Sequence, residues 1–127
     1  AFSDVYTCRP GGPSAGAVVL PMHSSFDRDM PGKMMVGAVG QMAAPFWVLN
    51  LWGDYEHSLV YSCMPLPMAN AENVFFFSRR PVTPAGIMSE MRNFAAARNI
   101  SLAAVKGVPM EGCGGKGAAA VAVEIQV

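Results

Sequence analysis

The stretch Pro45–Cys63, PFWVLNLWGDYEHSLVYSC, most narrows what this chain can fold into. It concentrates both tryptophans, one of the two histidines and the middle one of three cysteines. Phe46–Trp52 is aromatic and apolar, with no helical repeat. Gly53-Asp54 interrupts it with turn chemistry, because glycine has no Cβ to oppose a positive φ. Ser58–Cys63 resumes with the valine and tyrosine that suit a pleated surface. The segment therefore reads as a β-hairpin, and the chain as mainly β.

Further strands are expected on either side. Asp4–Cys8 is a short candidate, broken by Arg9-Pro10-Gly11-Gly12-Pro13, where proline removes a donor and glycine favours a turn. Gly16–Leu20 is a second, ended by Pro21, and Met22–Gly32 reads as a polar rim loop. Lys33–Val39 follows, weakened or bulged at Gly37. After Cys63 the two prolines of MPLPMANAEN read as a long loop. In Val74–Arg79, Phe75, Phe77 and Arg79 share one face while Val74, Phe76 and Ser78 share the other. A strand apolar on both faces fits a barrel wall whose outside is covered.

That cover is expected from a helix. Thr83 is a suitable N-cap, Pro84 a suitable first residue and Asn99 a stop. Ile87, Met91, Phe94 and Arg98 recur at helical spacing between them, with Ala95 alongside. Ile100–Val105 reads as another strand. In the tail, Val121, Val123, Ile125 and Val127 alternate with Ala122, Glu124 and Gln126, the clearest period-two pattern in the chain. Unpaired, such a strand is an aggregation hazard, so it is expected on a sheet edge, in this molecule or a partner.

Composition excludes several classes. A chain of 127 residues is one domain, and its formal net charge of zero provides no basic face for nucleic acid. The longest mostly apolar run, Met42–Trp52, is broken by Pro45 and Asn50 and falls well short of the ~20 residues of a membrane-spanning helix. Nothing at the N-terminus has the pattern of a targeting peptide, so the chain is expected to be mature or truncated. No cysteines form a CxxC pair, and His23 and His57 lack neighbouring ligands, so both read as surface or turn residues and no metal site is expected. Asp27, Asp29, Asp54 and Glu56 fall in loops and read as solvated. Charged residues make up only 14% of the chain and methionines number ten, which points to an exterior partly covered by a partner.

GDYEHSLVYSC followed by NVFFFSRRP resembles the second half of a lipocalin. The family's turn signature between two strands is represented by Gly53, Asp54 and Tyr55, and its arginine after the next strand by Arg79. The helix, further strand and late cysteine of the family are matched in order by TPAGIMSEMRNFAAARN, ISLAAVKG and Cys113. The similarity runs from about residue 31 to residue 113. The family's opening Gly-x-Trp strand is absent, and one hairpin is missing between Cys8 and Lys33.

The resemblance implies a lipocalin-like antiparallel β-barrel, whole or incomplete, with one C-terminal α-helix packed outside. Eight strands are available only if the tail contributes one. Barrels of that strand number can hold one small ligand. Matching positions in the family place Met34, Val36 and Ala38 on one inward face and Phe75 and Phe77 on another. The expected ligand is a small hydrophobic molecule: a sterol, fatty acid, retinoid, carotenoid or tetrapyrrole. No cofactor is required, though a bound lipid or pigment fits. Asp54, Tyr55 and Arg79 are structural.

The family pattern also implies a Cys8–Cys113 disulfide, with Cys63 a free buried thiol, and hence secretion or an oxidising lumen. One enzymatic branch uses a cysteine at the place of Cys8 as nucleophile. A thiolate there needs nearby positive charge, and Arg9 falls on the opposite face of the strand. No carboxylate pair suggests de-epoxidase chemistry. A non-catalytic binder is therefore the leading expectation, and a structural subunit of a larger membrane-associated or photosynthetic assembly, with a filled core, is the alternative.

Overall fold

The hairpin forms around a run of left-handed backbone. Gly53, Asp54 and Tyr55 take φ values of 62°, 52° and 65°. That conformation is cheap for glycine, tolerable for aspartate and strained for tyrosine. The turn is closed by Glu56 N–H donating to the Gly53 carbonyl at 3.1 Å. The computed structural model describes residues 1–12, 14–108 and 120–126, with Cys8 and residues 120–126 described by their backbone.

Seven strands and one helix are described: β1 (Phe2–Cys8), β2 (Val18–Phe26), β3 (Lys33–Ala38), β4 (Ala44–Trp52), β5 (His57–Pro65), β6 (Asn70–Ser78), α1 (Ala85–Ala96) and β7 (Ala120–Gln126). The strands follow chain order in an antiparallel sheet, with β1 and β7 at its ends. The chain divides into two units, Ala1–Trp47 and Val48–Val127, with β4 running from one into the other.

In the first unit β1, β2, β3 and the start of β4 pair in sequence. β2 is longer than the sequence suggests: it continues through Pro21 to Phe26, so residues 22–26 are strand and not loop. Pro21 is tolerated because of where it falls in the ladder. Its carbonyl accepts from Val39 N–H at 3.0 Å, so its nitrogen faces the same side, one residue beyond the end of β3. The missing donor thus lies where the pairing with β3 already stops.

Gly37 shows why β3 carries a glycine. A Cβ built there meets the Ala43 Cα at 2.9 Å and the Ala43 nitrogen at 3.2 Å, and backbone cannot swing aside as a side chain can. Gly37→Ala is therefore expected to destabilise by about 1–3 kcal/mol through overpacking. Gly86, in the first turn of α1, has nothing within 4 Å of the built Cβ. Gly86→Ala should instead gain about 0.5–1 kcal/mol. Opposite shifts in denaturant midpoint would bear this out, and a neutral Gly37→Ala would refute the close approach.

The second unit holds the core. Leu59, Val74, Phe76, Met91 and Ala95 are buried together, with Leu49, Trp52, Tyr61, Ile87, Met88 and Phe94 packed around them. Met91 and Ala95 lie one turn apart and define the stripe of α1 that meets β5 and β6. Phe94 meets Trp52 edge to face at 5.5 Å, and the Arg98 guanidinium lies 3.4 Å above the Phe94 ring. Arg98 belongs to the expected stripe only through that contact; its head stays exposed.

Helix ends differ in how they are made. Pro84 is the N-cap and no side chain caps the first turn, so the expected Thr83 cap is not formed. At the other end Asn99 takes φ 56°, Ile100 N–H donates to the Ala95 carbonyl, and Asn99 N–H donates to the Ala96 carbonyl. This is a Schellman closure with asparagine in the left-handed position. Asn99 stops the helix as its sequence position suggests.

Two further expectations change. The stretch after Cys63 is not a long loop: β5 runs to Pro65, β6 starts at Asn70, and Leu66 N–H donates to the Ala69 carbonyl across a tight connection. The prolines sit at a strand end and in the turn, where their missing donors cost nothing. Ile100–Val105 is not a strand. Val105 N–H turns back to the Leu102 carbonyl, while Ile100, Leu102 and Val105 pack against the core. Their apolar character is that of packing, not of pairing.

The tail strand is present as β7, paired with β6 from Glu72↔Gln126 to Ser78↔Ala120. Val127 lies outside the described residues.

Candidate functional site

The expected ligand residues fall on two faces, one in each unit. In the first, Met34, Val36 and Ala38 share a face, since alternate residues of a strand point the same way. Register adds neighbours to it: Phe26 and Phe46 stand opposite Met34, Ser24 and Ala44 opposite Val36, and Met22 opposite Ala38. Ser24 and Ala38 are buried, and Met34 and Val36 half-buried, whereas Lys33 and Met35 on the other side are exposed. Met22, Ser24 and Phe26 are missed by sequence reasoning because that stretch reads as loop. Its weak alternation of Met22, Ser24 and Phe26 is the signal available.

In the second unit Phe75 and Phe77 lie on the side of β6 opposite Val74 and Phe76, the pair that meets α1. The two rings stack at 5.7 Å with planes 22° apart. Val60 faces Phe75 across the ladder and Ser62 faces Asn73, and both are buried. Val60 lies inside the hairpin that opens the sequence reading, but period-two alternation alone does not choose its face. The helix thus covers one side of β6, and aromatic side chains occupy the other.

The turn signature assembles at the end of β6. Arg79 Nε donates to the Tyr55 carbonyl at 2.8 Å, and Arg79 N–H donates to the Glu56 carbonyl at 2.9 Å. The arginine so fastens the strained left-handed turn to the strand that follows it by two bonds. Asp54 and Tyr55 themselves are exposed. Arg80 Nε lies 3.4 Å from Glu56 Oε2, an ion pair without hydrogen-bond geometry, and its exposure makes it weak.

His57 departs from expectation. It is buried, opposite Ser78 in the ladder, and its Nδ1 has no hydrogen-bond partner. A Cβ at Gly53 would reach its ring at 3.4 Å, so the turn folds directly over it. His23 is exposed on β2, as expected. Among the described residues no three metal-ligating side chains cluster.

Cys63 is a free, half-buried thiol. It faces Glu72 across the ladder. Burial first, then hydrogen bonds with Glu72 and Cys63, hold the Tyr61 phenol above its ordinary pKa, so it stays neutral. Cys8 stands opposite Val18 in the ladder, and Cys113 lies outside the described residues. Arg9 is turned away from the strand, its Nη1 donating to the Ala15 carbonyl at 2.6 Å.

No helix of the described residues is long and apolar enough to cross a membrane. Comparison of the chain with family models and with curated proteins finds no match.

Proposed function

We propose that this chain is a lipocalin-like, non-catalytic binder of a small hydrophobic molecule, most like the apolipoprotein D branch of that family over residues 31–113. The observation that carries this reading is the two-sidedness of β6. Val74 and Phe76 are covered by α1, while Phe75 and Phe77 present a stacked aromatic surface on the side away from the helix. In a lipocalin-like barrel the helix lies outside and the opposite side of the wall lines the calyx. Met34, Val36 and Ala38 are the candidate ligand face of the first unit, taken by itself. Antiparallel pairing in chain order and the Arg79–Tyr55 bond support the same reading.

A ligand on such surfaces is held by shape and area, since polar anchors are few. At about 25 cal/mol per Å² of apolar surface removed from water, a largely buried sterol-sized molecule reaches micromolar affinity after association costs. Sterols, fatty acids, retinoids, carotenoids and tetrapyrroles all fit that description. Solvent extraction of the purified protein tests it. A stoichiometric lipid or pigment supports the proposal; a protein that carries none and takes up none on incubation opposes it.

A second reading, a structural subunit of a larger assembly, is favoured by the exposed apolar side chains Val5, Val39, Met42, Met68 and Val82. A protein partner on the outer edge of residues 121–127 fits that reading.

In either case we propose a Cys8–Cys113 disulfide and an extracellular or oxidising lumenal site, the thylakoid lumen among them. Closing a loop of about a hundred residues contributes about 4–5 kcal/mol in chain-entropy terms. Non-reducing peptide mapping should recover Cys8 joined to Cys113 and Cys63 as a thiol. A fragment joining Cys63 to either of the others would refute the assignment.

A further inference from the structure

The first unit also carries an open apolar groove at the end where β2 and β3 meet. At the turn between them, Ser25, Phe26, Asp27, Lys33, Met34, Met35 and Trp47 line a space of about 190 Å³. Lys33 and Trp47 are paired across β3 and β4, which places the Lys33 ammonium 5.2 Å from the centre of the indole ring. Phe26, Met35 and Trp47 are each more than a third exposed although they are large and apolar.

Charge selects what such a groove can hold. The Asp27 carboxylate, though still anionic, is tied into the 27–33 turn, its Oδ1 accepting from Asp29 N–H at 2.8 Å, and it makes no ion pair with Lys33 among the described residues. That turn is fixed further by Lys33 N–H donating to the Met30 carbonyl at 2.8 Å. Lys33 takes part in no ion pair among the described residues, whose salt bridge joins Arg80 to Glu56. The indole face that would attract a cation already has the ammonium over it. An ammonium ligand would meet like charge, and a neutral one would cover Lys33 without replacing its water. A carboxylate satisfies it.

Size sets the other limit. A volume of 190 Å³ is worth about six water molecules, enough for a short alkyl chain or one ring and too little for a sterol. We propose that this groove binds a small amphipathic carboxylate, its head on the Lys33 ammonium and its apolar body against Trp47, Met35 and Phe26. The groove shares Met34 and Phe26 with the first unit's face in the lipocalin-like reading, but the proposal is carried by Lys33 and Trp47 and does not rest on that reading.

The test titrates the full-length chain, ¹⁵N-labelled, with octanoate, octanol and octylamine at pH 7 and low salt, followed by amide chemical shifts. Octanoate is expected to give saturable shifts at residues 25–27, 33–35 and 47, and to bind more tightly than either of the others. An exposed ion pair sets the scale, so Lys33→Met should weaken octanoate about two- to fivefold and leave octanol unchanged. Lys33→Glu should abolish saturation. Lys33 is exposed, and an unchanged amide spectrum of each variant elsewhere verifies its fold. Equal affinities for the three probes, octanoate binding unaffected by Lys33→Glu, or the absence of saturable shifts overturns the proposal. So do shifts confined to residues 36–38 and 75–77, which would leave the lipocalin-like reading standing.

Discussion

Phe76→Ala is expected to cost about 3–5 kcal/mol of folding free energy, because it empties the centre of the core cluster that holds α1 on the strands. Phe76 is 4% exposed and stands opposite Leu59, which is fully buried, in the β5–β6 ladder. Met91 and Ala95 press on it from the helix, and the Arg92 guanidinium lies 6.0 Å from its ring centre. Truncation to alanine removes the ring and leaves a void that backbone pairing on β5 and β6 keeps from collapsing. The melting temperature should fall by roughly 10 °C or more. Far-ultraviolet circular dichroism on heating reads the effect, and a loss under about 1 kcal/mol would mean that the helix does not sit on this face.

Truncation after Gly117 has the second large effect. It removes β7 and with it seven pairings to β6, from Ser78↔Ala120 to Glu72↔Gln126. At roughly 0.2–1 kcal/mol for each pair, the loss amounts to several kcal/mol. Phe75, Phe76 and Phe77 would then lie on an exposed edge strand, a template for association with other chains. Lower solubility and a lower melting temperature are expected together, read by sedimentation and thermal denaturation. Unchanged values for both would show that the pairing contributes nothing.

Much of the β architecture can be read from alternation and turn chemistry. The central hairpin, β3, β6 and β7 all announce themselves by period-two pattern or by glycine and asparagine at turns. The helix is visible from Ile87, Met91, Phe94 and Ala95, and its end from Asn99. Prolines mislead where their position in the ladder matters more than their presence. Pro21 does not end β2, because its nitrogen faces the side where β3 has stopped, and Pro65 and Pro67 mark a tight connection and not a long loop. Ile100–Val105 misleads in another way: residues that favour strands also favour burial, and here burial decides. His57 is hidden from sequence reasoning because nothing in one dimension shows that the Gly53–Glu56 turn folds over it. Of the candidate ligand faces, alternation shows which residues travel together, and pairing register supplies Ser24, Phe46 and Val60 as their neighbours.

Phe75→Ala, assayed for binding and stability together, tests the proposed function most directly. Purified wild type and variant would be titrated with retinol, cholesterol and oleate, and unfolded in denaturant. A binding surface away from the helix predicts saturable one-to-one binding of at least one probe by wild type. It also predicts at least a tenfold loss of affinity in Phe75→Ala, and a stability within about 1 kcal/mol of wild type, since the ring is only half-buried. A wild type that binds none of the three, with Phe75→Ala costing the 3–5 kcal/mol of a core phenylalanine, would contradict it and make Phe75 part of a filled interior.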